Sequence, residues 1–123
     1  MGKFRLILVA LLAVALLAPA QAQAFKPEIV YVRATDDNEG VRFTAKVRMD
    51  KGGRDERKVS ITYKGERKRA HPLDDPPLSH YQTGPFSIPV RDCYRGVEVR
   101  ARNRFGVTKR TMRAELIGTN GCG

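Results

Sequence analysis

The ten residues from Val97 to Gly106, Val-Glu-Val-Arg-Ala-Arg-Asn-Arg-Phe-Gly, alternate apolar and charged side chains and end in a turn signal. Period-two alternation places Val97, Val99 and Ala101 on one face of a pleated strand and Glu98, Arg100 and Arg102 on the other. Such a strand needs a core on one side and water or an anion on the other. Val41 to Met49 keeps the same period for nine residues, with Val41, Phe43, Ala45, Val47 and Met49 facing in and Arg42, Thr44, Lys46 and Arg48 facing out. Lys58 to Lys64 resumes it with Val59, Ile61 and Tyr63 inward. Lys64-Gly65-Glu66 reads as a tight reversal into a short strand around Arg67 to Ala70. Val107 to Ile117 returns antiparallel to Gly96–Asn103, with Met112, Ala114 and Leu116 inward.

Other segments read less cleanly. Glu28 to Thr35 is rich in β-branched and aromatic residues and stops at the turn formers Asp36 to Gly40, but either Val30, Val32 and Ala34 or Ile29 and Tyr31 can face the core. His71 to Thr83 holds Pro72, Pro76 and Pro77, which lack the donor a central strand requires, and is expected to be a loop crossing between sheets. Phe86, Ile88 and Val90 mark a further strand, with Pro89 signalling an edge or a bulge. About seven short strands and no amphipathic helix or internal repeat fit an antiparallel sandwich or a small barrel, and a sandwich is expected.

The segment from Val97 onward also resembles the penultimate strand of fibronectin type III and immunoglobulin-like domains, which commonly reads Tyr-x-Val-x-Ala-x-Asn-x-x-Gly. Val97 replaces the tyrosine, while Val99, Ala101, Asn103 and Gly106 match; Ile61-Thr62-Tyr63 followed by Gly65 adds looser support. The resemblance implies a single antiparallel β-sandwich of about seven strands, without a shared chemistry. The tyrosine corner usual in such domains has no tyrosine at position 97, which leaves Tyr94 as the candidate for a variant of it.

Residues 1–24 read as a cleaved secretory signal peptide. Lys3 and Arg5 precede twelve apolar residues, Leu6 to Leu17, and a ladder of Ala18, Ala20, Ala22 and Ala24 offers Ala-x-Ala cleavage registers, with the cut expected after Ala24 or Ala22. The apolar run is shorter than the roughly 20 residues a spanning helix needs, so no stable membrane span is expected after cleavage. Residues 25–123 then make one β-sandwich domain, exported to a periplasmic or extracellular destination. Cys93 and Cys122, the only cysteines, are expected to form a disulfide there, with Gly118 and Gly121 easing the reversal of the tail; pairing between molecules is the alternative.

Of the 23 basic residues 21 follow Ala24, against all 13 acidic ones, so the exported chain carries a net charge of +8. That attracts polyanions without specifying a fold. Arg100 and Arg102 project from the outer face of their strand, Arg104 stands at the turn, and Lys109, Arg110 and Arg113 return on the next strand. With Ser60 and Thr62 alongside, these six form a candidate anion-binding platform, because arginine's planar fork suits phosphate and carboxylate. The alternative is general basicity: Arg42, Lys46 and Arg48 are expected on the opposite sheet and Arg67-Lys68-Arg69 elsewhere again.

His71, Asp74, Asp75 and His80 are metal-ligating types without the spacing of a recognised site, so no metal or cofactor is expected. Ser79 beside His80 has no orienting third group, and neighbouring residues point apart, so no catalytic set is expected. Tyr31, Tyr63, Tyr81 and Tyr94 are too scattered for a nucleic-acid stacking platform, which leaves only nonspecific binding at low salt. The reading is a non-enzymatic module that binds an anionic polymer or an acidic protein. Two alternatives are a subunit of an envelope assembly pairing through an exposed edge at strand one or Pro89, and an inhibitor or effector acting through the 71–83 loop.

Overall fold

A computed structural model describes residues 25–50 and 54–122; the expected signal peptide, residues 1–24, lies outside the described residues. Seven strands follow in order: β1 Glu28–Asp37, β2 Gly40–Arg48, β3 Lys58–Tyr63, β4 Glu66–Pro72, β5 Leu78–Thr83, β6 Cys93–Asn103 and β7 Gly106–Leu116. A 3-10 turn, Arg54–Glu56, precedes β3. The strands close into one barrel in the order β1-β2-β5-β4-β3-β6-β7. All pairs are antiparallel except the seam, where Arg33 and Ala34 of β1 run parallel to Glu115 and Leu116 of β7.

The expected two-sheet sandwich is therefore corrected to a closed barrel. Two junctions make the difference: the β1–β7 seam, and the pairing of β4 with β5 through Ala70↔Thr83, His71↔Gln82 and Pro72↔Tyr81. β5 occupies half of the segment expected to be a crossing loop, and it also pairs with β2 from Thr44↔Gln82 to Arg48↔Leu78. Its inward residues are Ser79, Tyr81 and Thr83, all buried. Hydroxyls sit here because the barrel satisfies part of them: Thr83 Oγ1 accepts from the Phe43 amide at 3.2 Å and donates to the Gly84 carbonyl at 2.8 Å. The strand expected around Phe86, Ile88 and Val90 is reduced to one bridge between Val41 and Phe86, and Val90 is exposed.

The alternating residues fill the interior as their period requires. Val41, Phe43, Ala45, Val47 and Met49 are buried, as are Val59, Ile61, Tyr63, Val97, Val99, Ala101, Ala114 and Leu116, while Met112 is partly buried. In β1 a register irregularity between Ile29 and Tyr31 switches the inward face, so Ile29 is buried from one phase and Val32 and Ala34 from the other. Four rings form the centre: Phe43 meets Phe86 at 5.1 Å, Tyr94 at 5.4 Å and Tyr63 at 5.6 Å, the first two edge to face. The Tyr94 hydroxyl donates to the Pro89 carbonyl at 3.0 Å and accepts from the Arg91 amide at 2.8 Å. It thereby ties the start of β6 to the chain before it, and burial pushes its phenol pKa up.

Polar side chains lace the seam where the β1–β7 ladder is absent. Asn103 Nδ2 donates to the Phe25 carbonyl at 2.7 Å, Thr108 Oγ1 to the Pro27 carbonyl at 2.6 Å and an Arg110 guanidinium nitrogen to the Ile29 carbonyl at 2.9 Å. Asn103 Oδ1 also accepts from the Phe105 and Gly106 amides, closing the last hairpin. Cys93 and Cys122 form an intramolecular disulfide across a separation of 29 residues. Gly118 and Gly121 both adopt positive φ, 92° and 74°, to bring the tail back. In the chain-entropy view the bridge contributes roughly 3 to 4 kcal/mol.

Candidate functional site

The outer face of β3, β4 and β6 is set by two registers. β3 and β6 pair so that Lys58 opposes Arg102, Ser60 opposes Arg100 and Thr62 opposes Glu98. On the other side of β3 the two-residue turn at Lys64 and Gly65, both with positive φ, brings Tyr63 opposite Glu66, so Thr62 faces Arg67 and Ser60 faces Arg69. Side chains directly opposed in antiparallel strands share a face. Arg100, Ser60 and Arg69 therefore form one row across three strands, and Lys109 of β7 extends it by opposing Arg100.

These rows enclose a concavity of about 360 Å³ lined by Lys58, Arg67, Arg69, Arg100 and Arg102 around Ser60. Arg67 Nε donates to Ser60 Oγ at 3.2 Å. Among the described residues none of the five cations lies within ion-pair distance of a carboxylate. Glu98 is the acidic residue nearest in register, opposite Thr62 and two pairs beyond Ser60. Cations elsewhere are matched differently. On β2, Arg42 pairs with Asp37 and Glu39 and Arg48 with Glu28. The Arg42 guanidinium holds the Asp37 carboxyl below its ordinary range. Lys46 and Arg33 lie instead over the Tyr31 ring, at 5.7 and 4.2 Å.

The six residues singled out from sequence are only partly brought together. Arg100 and Arg102 line the concavity and Lys109 stands beside it. Arg104 reaches Asp50 Oδ2 at 3.1 Å, where the carboxylate is buried and also bonded to Asn103. Arg110 opposes the inward residue Val99 and is spent on the Ile29 carbonyl. Arg113 falls within the register irregularity between the Tyr94↔Ala114 and Val97↔Met112 pairs and has no paired partner in the ladder. Lys58, Arg67 and Arg69 were not expected here. The signal for them lay in the Lys64-Gly65 turn, since counting back from a two-residue hairpin fixes Ser60 opposite Arg69.

The residues weighed for a metal are distributed on other grounds. His80 Nδ1 meets Asp74 Oδ2 at 2.7 Å and its Nε2 meets the Tyr31 hydroxyl at 2.8 Å. With the proton on Nδ1 the ring donates to Asp74 and accepts from Tyr31. The hydrogen bonds from His80, side chain first and then backbone amide, hold the Asp74 carboxyl below its usual range. His71 is exposed on β4, opposite Gln82. Among the described residues no group of three or more His, Cys, Asp or Glu is placed to hold a metal ion. Ser79 points into the barrel, its Oγ buried without a hydrogen-bond partner among the described residues, and His80 points out, so the two do not meet.

Comparison with protein-family models, with curated proteins and with solved structures returned no match. The site therefore rests on its geometry. Among the described residues no helix is long and apolar enough to cross a membrane. The disulfide is consistent with an exported protein.

Proposed function

We propose that this chain is an exported, non-enzymatic binding module that takes an anionic polymer or the acidic surface of a protein on the β3–β4–β6 face. One observation carries the reading: five cations without carboxylate partners among the described residues line a single concavity, while the arginines of β2 are ion-paired. Like charges held this close repel one another by a few tenths of a kcal/mol each in water, a cost that an arriving anion reverses. A periplasmic or extracellular destination, drawn from the leader-like residues 1–24 and the disulfide, places envelope phosphates, carboxylates and acidic proteins within reach. Kinship with fibronectin type III and immunoglobulin-like domains is proposed at the level of the closing hairpin. There Asn103 closes the turn and Tyr94 ties back to upstream backbone.

The two alternatives find less support in the fold. On its β7 side β1 has a strand partner only at Arg33 and Ala34, and side chains of β6 and β7 reach the carbonyls of Phe25, Pro27 and Ile29, so the edge that assembly by strand addition would use is partly taken up. The loop expected to act as an effector arm over 71–83 shrinks to the connection between Pro72 and Leu78, because the rest is β4 and β5.

Affinity for immobilised dextran sulfate tests the proposal with single charge reversals. Arg69→Glu is expected to weaken binding about tenfold, as much as Arg100→Glu, while Arg48→Glu on the far wall changes it less than about twofold; the scale is that of one to two exposed charge contacts. Equal losses at all three positions would show that only net charge matters.

A further inference from the structure

We infer that the group the groove takes at its centre is a tetrahedral oxyanion, phosphoryl or sulfuryl, seated over Ser60 between Arg69 and Arg100, and not a carboxylate. The inference rests on the anion-binding reading above and narrows its ligand.

Three features of the row point there. Arg100 and Arg69 oppose Ser60 from its two sides, so their backbones stand about two strand spacings, roughly 10 Å, apart. Two arginine side chains rising from that separation close on one small anion from opposite directions, each with a planar fork of donors. The second feature is the hydroxyl. Ser60 Oγ accepts from Arg67 Nε, and among the described residues its O–H donates to no protein acceptor, so its proton is free to be donated to an anion that enters the groove. The third is the number of donors against acceptors. Arg67, Arg69 and Arg100 bring three guanidiniums to one concavity, and with the hydroxyl they offer more donors than the two oxygens of a carboxylate can take up. A phosphoryl or sulfuryl group presents its oxygens in several directions, so donors on both sides and beneath are engaged together. Lys58 and Arg102 oppose each other one side-chain repeat along the strands, about 7 Å away, where they meet the next negative charge of a repeating ligand.

The test uses the oxidised, disulfide-bonded chain and two soluble probes of matched charge number, linear polyphosphate and poly-L-glutamate, titrated at one ionic strength. Polyphosphate is expected to bind at least tenfold more tightly. Arg69→Lys keeps the charge and removes the fork; it is expected to lower polyphosphate affinity about fivefold and leave poly-L-glutamate unchanged, and Ser60→Ala to act in the same direction. Equal affinity of the two polymers, with Arg69→Lys neutral toward both, would overturn this inference while leaving the anion-binding reading standing. Failure of both polymers to bind would overturn both. Phosphatidylcholine vesicles with and without phosphatidic acid separate the sources of the group. Capture by the phosphatidic acid vesicles as tight as that of polyphosphate supports a lipid headgroup, and polyphosphate binding without vesicle capture supports a soluble or polymeric phosphate.

Discussion

Phe43→Ala is expected to lower the stability of the domain by about 3 to 5 kcal/mol, the range for removing a fully enclosed phenyl group. Phe43 is 0% exposed and touches the rings of Tyr63, Phe86 and Tyr94, and it does so from β2, the strand that joins β1 to β5 in the closed sheet. Edge-to-face contacts of this kind add about 0.5 to 1.5 kcal/mol each beyond area burial. The surrounding wall cannot collapse freely into the space, since Tyr94 is pinned through its hydroxyl to Pro89 and Arg91. A domain of this size has about 5 to 15 kcal/mol in total, so the variant stands near the limit of folding. Urea denaturation of the oxidised protein checks it: the midpoint should fall by about 1 to 5 M, given a slope of about 1 to 3 kcal/mol per M. Leu73→Ala, a change at a 60% exposed side chain, should move it by no more than a few tenths of 1 M. A small shift for Phe43→Ala would mean that the four rings do not form the core described.

The combined change Arg100→Glu with Arg102→Glu is expected to weaken binding to dextran sulfate by about 30- to 1000-fold. Each reversal removes an attraction and introduces a repulsion of comparable size, so four units of charge change at the centre of the groove. At about 0.5 to 1 kcal/mol per exposed charge contact they amount to roughly 2 to 4 kcal/mol. Circular dichroism should be unchanged, because both side chains project outward and among the described residues neither makes an ion pair. Arg104→Glu behaves differently: it sets a second carboxylate against the buried Asp50, so its main effect is lost stability, not lost binding. That contrast separates the groove from the turn, although the two arginines are only two residues apart in the chain.

How much of this was legible in the sequence follows from what period-two alternation records. Alternation states which side of a strand is dry, and for Val41 to Met49, for Val59 to Tyr63 and for Val97 to Ala101 that side is the barrel interior. It is silent on how sheets join at their margins, because the inward residues of a sandwich and of a barrel look the same. The decisive strand was β5, whose inward side chains are Ser79, Tyr81 and Thr83; two hydroxyl residues and a tyrosine give no apolar signal, and the prolines at 72, 76 and 77 extended the loop reading too far. β1 looked two-faced because it is, with an irregularity after Ile29. The site was half legible for a related reason. Arg100 and Arg102 stood on a clean strand, whereas Arg67 and Arg69 join them only through the hairpin register at Lys64-Gly65. Arg104 and Arg110 lie near Arg100 and Arg102 in sequence, but their bonds to Asp50 and to the Ile29 carbonyl depend on tertiary partners far along the chain.

The central claim, that binding belongs to the β3–β4–β6 groove and not to the basic surface at large, is tested most directly by the salt dependence of affinity. Each cation that displaces a counter-ion from a polyanion contributes about 0.7 to 0.9 to the slope of log K against log salt, so a ligand seated on all five groove cations should give a slope near 4. In the Arg100→Glu, Arg102→Glu chain that slope should fall by at least about 1.5, and in the Arg42→Glu, Arg48→Glu chain it should stay within about 0.5 of the wild type. An equal fall in the two variants would contradict the account.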